Sequence, residues 1–249
     1  MWRLFNMDQN DLVRSSGPGE CPKHGHFIGY QVSIPGLDYM MKPLCPVCVS
    51  LNAEQKAASD FAEKQSKAMR AIFDSGIPKR FRECSFGGFI PRIAKDQLRL
   101  DKLVEYAMNF DPNTSKNLFL FGGIGLGKTH LACALATTLI ISGFSVEYAN
   151  MVSILREQKE TMRVGGMTNS EFVNKYGRCH LLILDEFGIS QLSAHEQTTM
   201  HVILNKRYEN MLPTMIVGNL KADTLVALIG DRAARRVESS ATKIMLGDA

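Results

Sequence analysis

The sequence predicts an α/β protein with a parallel sheet, preceded by a small metal-binding module. Three observations lead to this prediction. From about Phe81 onward, short apolar runs alternate with helical patterns, as in chains that build a parallel sheet covered by helices. A glycine-rich loop lies between the first of these runs and the helical pattern that follows it. Residues 1–50 are rich in turn-forming residues and contain closely spaced cysteine and histidine pairs.

The predicted elements divide the chain into three parts. A long helix is expected over 51–75, because Gly76 and Pro78 end its pattern. Further helices are expected over 96–110 and 128–142, and Ser193 with Glu196 forms a capping box at the start of another. The five expected strands are 117–121, 145–149, 181–184, 214–217 and 243–246. The parts are then a small module at 1–50, a linker helix at 51–76 and an α/β domain at 77–249.

Composition excludes several classes of protein. The chain has 249 residues, 45% hydrophobic and 22% charged, which is ordinary for a globular protein that folds without disulfides. It has no run of 18 apolar residues, and Met1–Asn10 lacks the pattern of a secretory signal. A cytoplasmic location without a membrane partner is therefore expected. In that reducing compartment the six cysteines are metal ligands or buried thiols rather than disulfides.

Charge permits a nucleic-acid partner without requiring one. The net charge is +4, and residues 63–102 carry ten Lys and Arg against five Asp and Glu. This basic stretch is either a nucleic-acid or protein-binding surface or simply a solvated helix face.

The strongest local signal is a phosphate-binding loop, which matches the pattern G-x-x-x-x-G-K-S/T between a predicted strand and a predicted helix. Backbone N–H groups of such a loop surround a phosphate, and the positive end of the helix dipole adds to the attraction. Lys128 is expected to reach the β and γ phosphates of ATP, and the Thr129 hydroxyl to bind Mg²⁺. The loop consists of Gly122, Gly123, Ile124, Gly125, Leu126, Gly127, Lys128 and Thr129.

A pair of acidic residues follows the third predicted strand. Asp185 is expected to hold Mg²⁺, directly or through water, and Glu186 to polarise the attacking water. Asn219 follows the fourth strand, where it orients the water or senses the γ phosphate, or else is an ordinary turn asparagine. Three arginines further on form either a basic surface helix or an arginine finger for a neighbouring subunit, namely Arg232, Arg235 and Arg236.

The N-terminal cysteines form two ligand pairs. Cys21 and His24 make one pair, and Cys45 and Cys48 make the other. Three thiolates and one imidazole suit tetrahedral Zn²⁺, although His26 is a rival to His24 as the nitrogen ligand. Because the surrounding sequence has little apolar content, the metal would supply the folding energy of this module. The remaining cysteines are expected to be buried thiols, namely Cys84, Cys133 and Cys179.

Five motifs over residues 77–246 resemble the DnaC/IstB-like AAA+ ATPase family: Phe81–Phe86, Gly122–Ala132, Leu182–Gly188, Asn205–Tyr208 and Gly230–Arg236. The cysteine pairs are similar to those of phage and prophage loaders of this group. The resemblance implies a five-stranded sheet of order 5-1-4-3-2. It adds His130 to the ATP-binding residues and makes Arg236 the best-matching finger.

The resemblance implies an ATP-hydrolysing loader that delivers a replicative helicase of DnaB type onto single-stranded DNA. It also implies self-association through the ATPase domain. One alternative is an IstB-type helper of a transposase. A small-molecule kinase is less well supported, because the Asp185–Glu186 pair suits water activation better than transfer. A zinc-dependent DNA-binding module with a degenerate ATPase core is disfavoured by the intact Lys128 and Thr129.

Overall fold

The computed structural model describes residues 13–33, 42–163, 167–187, 193–219, 226, 229–238 and 241–247. The chain divides into two compact units, Met1–Ser66 and Lys67–Ala249. None of the helices within the described ranges is long and apolar enough to cross a membrane.

The first unit contains an antiparallel hairpin of β1 (Val13–Cys21) and β2 (Gly25–Ser33). In its register Cys21 pairs with Gly25, so a tight turn at 22–24 connects the strands. The sequence prediction contained neither strand. The turn-forming residues of this region therefore lie partly within strands.

Helix α1 (Pro46–Asp74) starts in the first unit and ends in the second. It begins at Pro46 rather than at residue 51, because proline is well tolerated in the first turn of a helix, where its missing N–H is not needed. Ile72 is buried near its C-terminal end, whereas Phe61 and Met69 are exposed.

The second unit is built on one parallel five-stranded sheet of order β4-β5-β6-β3-β7. Read from the opposite edge and in predicted strand numbers, this order is 5-1-4-3-2, so the predicted topology is confirmed. The strands are β3 (Leu118–Gly122), β4 (Val146–Asn150), β5 (Leu181–Phe187), β6 (Thr214–Gly218) and β7 (Thr242–Leu246).

Helices cover both faces of this sheet. They are α2 (Ala94–Met108), α3 (Lys128–Ile141), α4 (Met151–Arg163), α5 (Asn169–Arg178), α6 (Ala194–Glu209) and α7 (Asp231–Glu238). The predicted capping box of Ser193 and Glu196 is confirmed at the start of α6. Thr168 and Glu171 form a second capping box at the start of α5, a helix absent from the sequence prediction.

Two apolar clusters form the core of the second unit, one on each side of the sheet. One contains Leu103, Leu131 and Leu139, and the other contains Phe172 and Ile203. Cys133 and Cys179 are buried, as predicted, and Cys84 is half-buried. Strand β6 is buried throughout and β5 is buried except at Glu186, which agrees with strands that are covered on both faces.

Candidate functional site

The glycine-rich loop connects the end of β3 to the start of α3. Gly125 and Gly127 adopt positive φ angles of 75° and 85°. A Cβ atom on Gly127 would also lie 2.8 Å from the ring of Phe89. Glycine is therefore required at this position on two counts. Ile124 is exposed at the loop tip, so what it offers a phosphate is its backbone N–H rather than its side chain.

Lys128 closes the mouth of this loop. Its Nζ atom donates to the carbonyl oxygens of Gly122 and Gly123 at 2.8 Å and 2.7 Å. Burial lowers the pKa of Lys128, and the nearby carboxylate of Asp185 opposes that shift. The ammonium group and the N-terminus of α3 thus concentrate positive potential at the loop, which is an environment suited to phosphate.

Thr129 and Asp185, the two predicted Mg²⁺ ligands, are brought together. The Oδ2 atom of Asp185 accepts hydrogen bonds from the Thr129 hydroxyl at 2.8 Å and from the Tyr148 hydroxyl at 2.6 Å. Its Oδ1 atom accepts from the backbone N–H of Glu186 at 2.7 Å. Asp185 is only 3% exposed. A hydroxyl and a carboxylate are the hard oxygen ligands that Mg²⁺ prefers, so the donor set fits this ion.

Glu186 lies beside Asp185 in an unusual backbone conformation, with a φ angle of 53°. The amide Nδ2 of Asn150 donates to its Oε2 atom. In the β4–β5 register Asn150 pairs with Asp185, which explains how the amide reaches the next residue. Non-glycine residues with positive φ occur preferentially at functional sites, where the surrounding structure holds them.

Sequence reasoning did not identify Asn150 or Tyr148. Neither residue belongs to a motif, and both become neighbours of the acidic pair only through the pairing of β4 with β5. Burial and the neighbouring Asp185 raise the pKa of the Tyr148 phenol, so this group stays protonated at neutral pH and acts as a hydrogen-bond donor.

These side chains line a cleft of about 390 Å³ that runs from Thr129 and Asp185 along β4. Further along it, Glu157 accepts from Lys175 at 2.8 Å and from Tyr176 at 2.5 Å. Burial raises the pKa of Glu147, in the same cleft, to about 7. The cleft therefore has carboxylates at both ends, and Pro78 and Phe81 add apolar surface to its lining.

The side chain of His130 contacts a different segment. Its Nε2 and Nδ1 atoms lie 3.0 Å from the carbonyl oxygen of Ser85 and 3.2 Å from the Cys84 sulfur. The group that His130 would offer a nucleotide is thus the backbone N–H in the first turn of α3.

Asn219 and Arg236 follow the sheet at other places. Asn219 is exposed at the end of β6, the strand between β3 and β5. The Arg236 guanidinium donates to Oδ1 of Asn205 and lies 4.7 Å from the ring centroid of Tyr208. Arg235 is exposed and pairs with Asp231 at 2.9 Å. The side chain of Arg232 lies outside the described residues.

The four predicted zinc ligands form one cluster in the first unit, with all ligand atoms within 4.8 Å of one another. Nδ1 of His24 lies 3.3 Å from the Cys48 sulfur and 3.6 Å from the sulfurs of Cys21 and Cys45. The cluster contains His24, whereas His26 is exposed in β2. The backbone N–H of Lys23 lowers the pKa of Cys21 to about 6, which favours its thiolate, whereas the hydrogen bond with Cys21 raises the pKa of Cys48 to about 11. Three sulfurs and one imidazole nitrogen make a donor set that fits Zn²⁺.

The sequence is similar to those of known ATP binding proteins and replicative helicase loaders. A sequence model of the IstB-like ATP binding protein family matches residues 92–236. The replicative helicase loader DnaC of Escherichia coli K12 is 28% identical over 186 residues, covering 74% of this chain and 75% of that protein. DnaC of Buchnera aphidicola subsp. Baizongia pistaciae is 29% identical over 192 residues, covering 75% and 77%.

Among solved structures, the DnaC helicase loader superposes with a TM-score of 0.61 at 22% identity, covering 68% of this chain and 100% of that one. DnaI gives a TM-score of 0.60 at 21% identity, covering 68% and 94%. These structures share the α/β fold and support the sheet topology. Because the family model matches more than half of this chain, the chain belongs to the family of IstB-like ATP binding proteins.

Proposed function

We propose that this protein is an ATP-dependent loader that delivers a replicative ring helicase of DnaB type onto single-stranded DNA. The observation that carries the proposal is the similarity to replicative helicase loaders. It spans 186 residues, more than the stretch 92–236 matched by the family model. A role in DNA replication follows from that similarity, and the nucleotide site supplies the chemistry.

In the proposed reaction, the loop around Gly125 binds the phosphates of ATP, and Lys128 contacts the β and γ phosphates. Thr129 and Asp185 hold Mg²⁺, which when bound neutralises charge on the phosphate oxygens. Glu186 polarises the attacking water and accepts its proton. The hydrogen bond from Asn150 orients the Glu186 carboxylate, so this base has a defined direction.

Arg236 is the proposed arginine finger. In an assembly of side-by-side ATPase domains it would complete the nucleotide site of a neighbouring subunit. Tyr208 and Asn205 support its guanidinium, which limits the entropy that the side chain loses when it engages a phosphate. Asn219 is proposed to orient the attacking water from the end of β6.

The N-terminal part has a separate proposed task. Residues 1–50 form a zinc-binding module around Cys21, His24, Cys45 and Cys48, and residues 51–76 form the linker helix. The ATPase domain at 77–249 accounts for the nucleotide chemistry. We therefore assign the helicase contact to residues 1–75, where exposed apolar side chains such as Phe61 and Met69 are available to a partner.

The test is co-purification of the full-length protein with candidate replicative helicases, with and without ATP. A stable complex that changes with ATP in the parent, but not in Lys128→Ala, is expected. Single-stranded DNA binding should weaken steeply with salt, because phosphate contacts release counterions. A loader proposal does not survive if every candidate helicase fails to bind under both conditions.

The second candidate is an ATP-binding helper of a transposase, an IstB-type function that membership in the family of IstB-like ATP binding proteins keeps open. The two candidates separate in a parallel experiment with a transposase in place of the helicase. Retention of the transposase alone would select the helper function.

A further inference from the structure

We propose that Tyr148 is a positioning residue for Asp185, holding its carboxylate in the orientation that Mg²⁺ binding requires. Tyr148 thereby determines how nucleotide hydrolysis depends on Mg²⁺ concentration. This inference rests on the proposed function, in which Asp185 is a Mg²⁺ ligand.

The hydrogen-bond accounting of Asp185 is the first argument. An ionised carboxylate has about four acceptor positions, and donors occupy three of them here. Thr129 and Tyr148 donate to Oδ2, and the Glu186 N–H donates to Oδ1. A threonine hydroxyl that binds a cation through its oxygen can rotate its proton away from Oδ2. Tyr148 is then the side-chain donor that still holds that oxygen.

The packing of Tyr148 is the second argument. The side chain is 6% exposed and belongs to the apolar cluster that also contains Ile183 and Ile72. Its backbone pairs with Ile183 in the β4–β5 ladder. Because ring and backbone are both enclosed, the hydroxyl cannot leave Asp185 by a simple rotamer change.

The outer edge of β4 supplies the third argument. The N–H of Tyr148 donates to the carbonyl oxygen of Ser75 at 2.7 Å, just after the end of α1. Gly76 follows with a φ angle of +83°, and a Cβ atom there would lie 2.2 Å from the carbonyl oxygen of Tyr148. Only glycine allows this approach, so the chain after α1 fixes Tyr148 from the side opposite β5. One residue thus connects the end of the linker helix to the metal-binding carboxylate.

The experiment compares Tyr148→Phe with the matched control Tyr176→Phe. Tyr176 lines the same cleft, and its hydroxyl also donates to a carboxylate, that of Glu157. Two quantities are measured on the full-length protein: the Mg²⁺ concentration for half-maximal ATP hydrolysis, and Mn²⁺ affinity by electron paramagnetic resonance with a non-hydrolysable ATP analogue. We expect Tyr148→Phe to weaken both by about tenfold, as is typical when a partner of a metal ligand is removed. Tyr176→Phe should match the parent.

The KM for ATP at saturating Mg²⁺ should stay unchanged in Tyr148→Phe, which a general structural defect would not spare. Unchanged Mn²⁺ affinity of the folded protein would overturn the inference even if turnover fell. Asp185→Asn distinguishes the positioning role of Tyr148 from the metal-binding role of Asp185. If Asp185→Asn weakens the metal and Tyr148→Phe does not, the positioning role is wrong. If Asp185→Asn itself leaves metal affinity unchanged, the proposed metal ligand is wrong.

Discussion

The two units of this protein are stabilised internally by different forces. Among the described residues of the first unit, the buried hydrophobic side chains are Cys21 and Cys45, which are themselves ligands of the proposed metal. The second unit buries two apolar clusters, one on each side of its sheet. The first unit should therefore depend on a metal for its fold, whereas the second depends on the hydrophobic effect.

Zinc removal should show the difference in stabilisation between the two units most clearly. Cys45→Ser with Cys48→Ser, or a chelator, should release about one Zn²⁺ per chain and unfold the first unit. The expected loss of folding free energy in the first unit is large, because structural zinc binding contributes about 10 kcal/mol or more. Nucleotide binding by the second unit should persist. Metal analysis, circular dichroism and ATP binding on the same samples measure these effects.

His24 and His26 provide a matched pair for this experiment. His24→Ala should release the metal, since Nδ1 of His24 lies among the three sulfurs, and His26→Ala should keep it. Zinc retained by His24→Ala but lost by His26→Ala would reverse the ligand assignment. Absence of zinc in protein prepared without chelator would remove the metal from the first unit altogether.

The same contrast explains what the sequence could and could not predict. All five strands of the second unit were predicted to within a few residues. The strands β3, β5 and β6 are mostly buried apolar runs, which is the pattern typical of central parallel strands. The hairpin of the first unit was not predicted. Its β1 strand contains Gly17, Pro18 and Gly19, which indicate a turn, so nothing in the local pattern distinguishes it from a loop.

Within the site, sequence reasoning found residues that form motifs and missed those brought in by strand pairing. The loop around Lys128 and the Asp185–Glu186 pair are contiguous patterns. Tyr148 and Asn150 join them through the register of β4 and β5, which cannot be deduced from either strand alone. The signal for α5 was available, since Thr168 and Glu171 have the same spacing as Ser193 and Glu196.

A second test acts on the chemistry of the second unit while leaving both folds intact. Glu186→Gln should bind ATP like the parent and hydrolyse it about 10²- to 10⁴-fold more slowly, the usual range for loss of a general base. Lys128→Ala should instead fail to bind, because it removes the ammonium at the loop mouth. Equilibrium binding and steady-state hydrolysis distinguish the two. Parental turnover by Glu186→Gln would show that another group activates the water.

The effect expected for Arg236 depends on assembly of the subunits. Arg236→Ala should bind ATP normally and lose about 10³- to 10⁵-fold in DNA-stimulated hydrolysis, since it removes the arginine finger that stabilises transition-state charge. ATP-dependent self-association should also fall. Arg235→Ala is the matched control, because Arg235 is exposed and paired with Asp231.

Mixing variants tests whether this arginine acts between subunits. Arg236→Ala retains its own nucleotide site, and Lys128→Ala retains its arginine, so a mixture should regain hydrolysis that neither variant has alone. A mixture no more active than the sum of its parts, or slow hydrolysis in Arg235→Ala rather than Arg236→Ala, would contradict the assignment of the finger.

The smallest expected effect comes from removing a helix cap, which should lower the stability of the second unit alone. In α6 the Glu196 N–H donates to Ser193 Oγ, and the Ser193 N–H donates to Glu196 Oε2. Ser193→Ala should lower the free energy of unfolding by about 1 kcal/mol, without changing zinc content. Thr198→Ala is the control, because its hydroxyl donates to the carbonyl of Ala194 within the helix and caps nothing. Urea denaturation at neutral pH measures both variants.

Acid should remove the stabilisation that the Glu196 carboxylate gives to this cap. The backbone N–H of Ser193 and the ammonium of Lys159 lower the pKa of Glu196 from 4.5 to about 2. A carboxyl whose pKa is lowered by folding stabilises the native state above its unfolded pKa and loses that contribution as pH falls. The stabilisation from Glu196 should therefore be complete above pH 4.5 and disappear towards pH 2. The difference in stability between parent and Glu196→Gln should narrow over that interval, and a difference that widens on acidification would show that folding does not lower the pKa of Glu196.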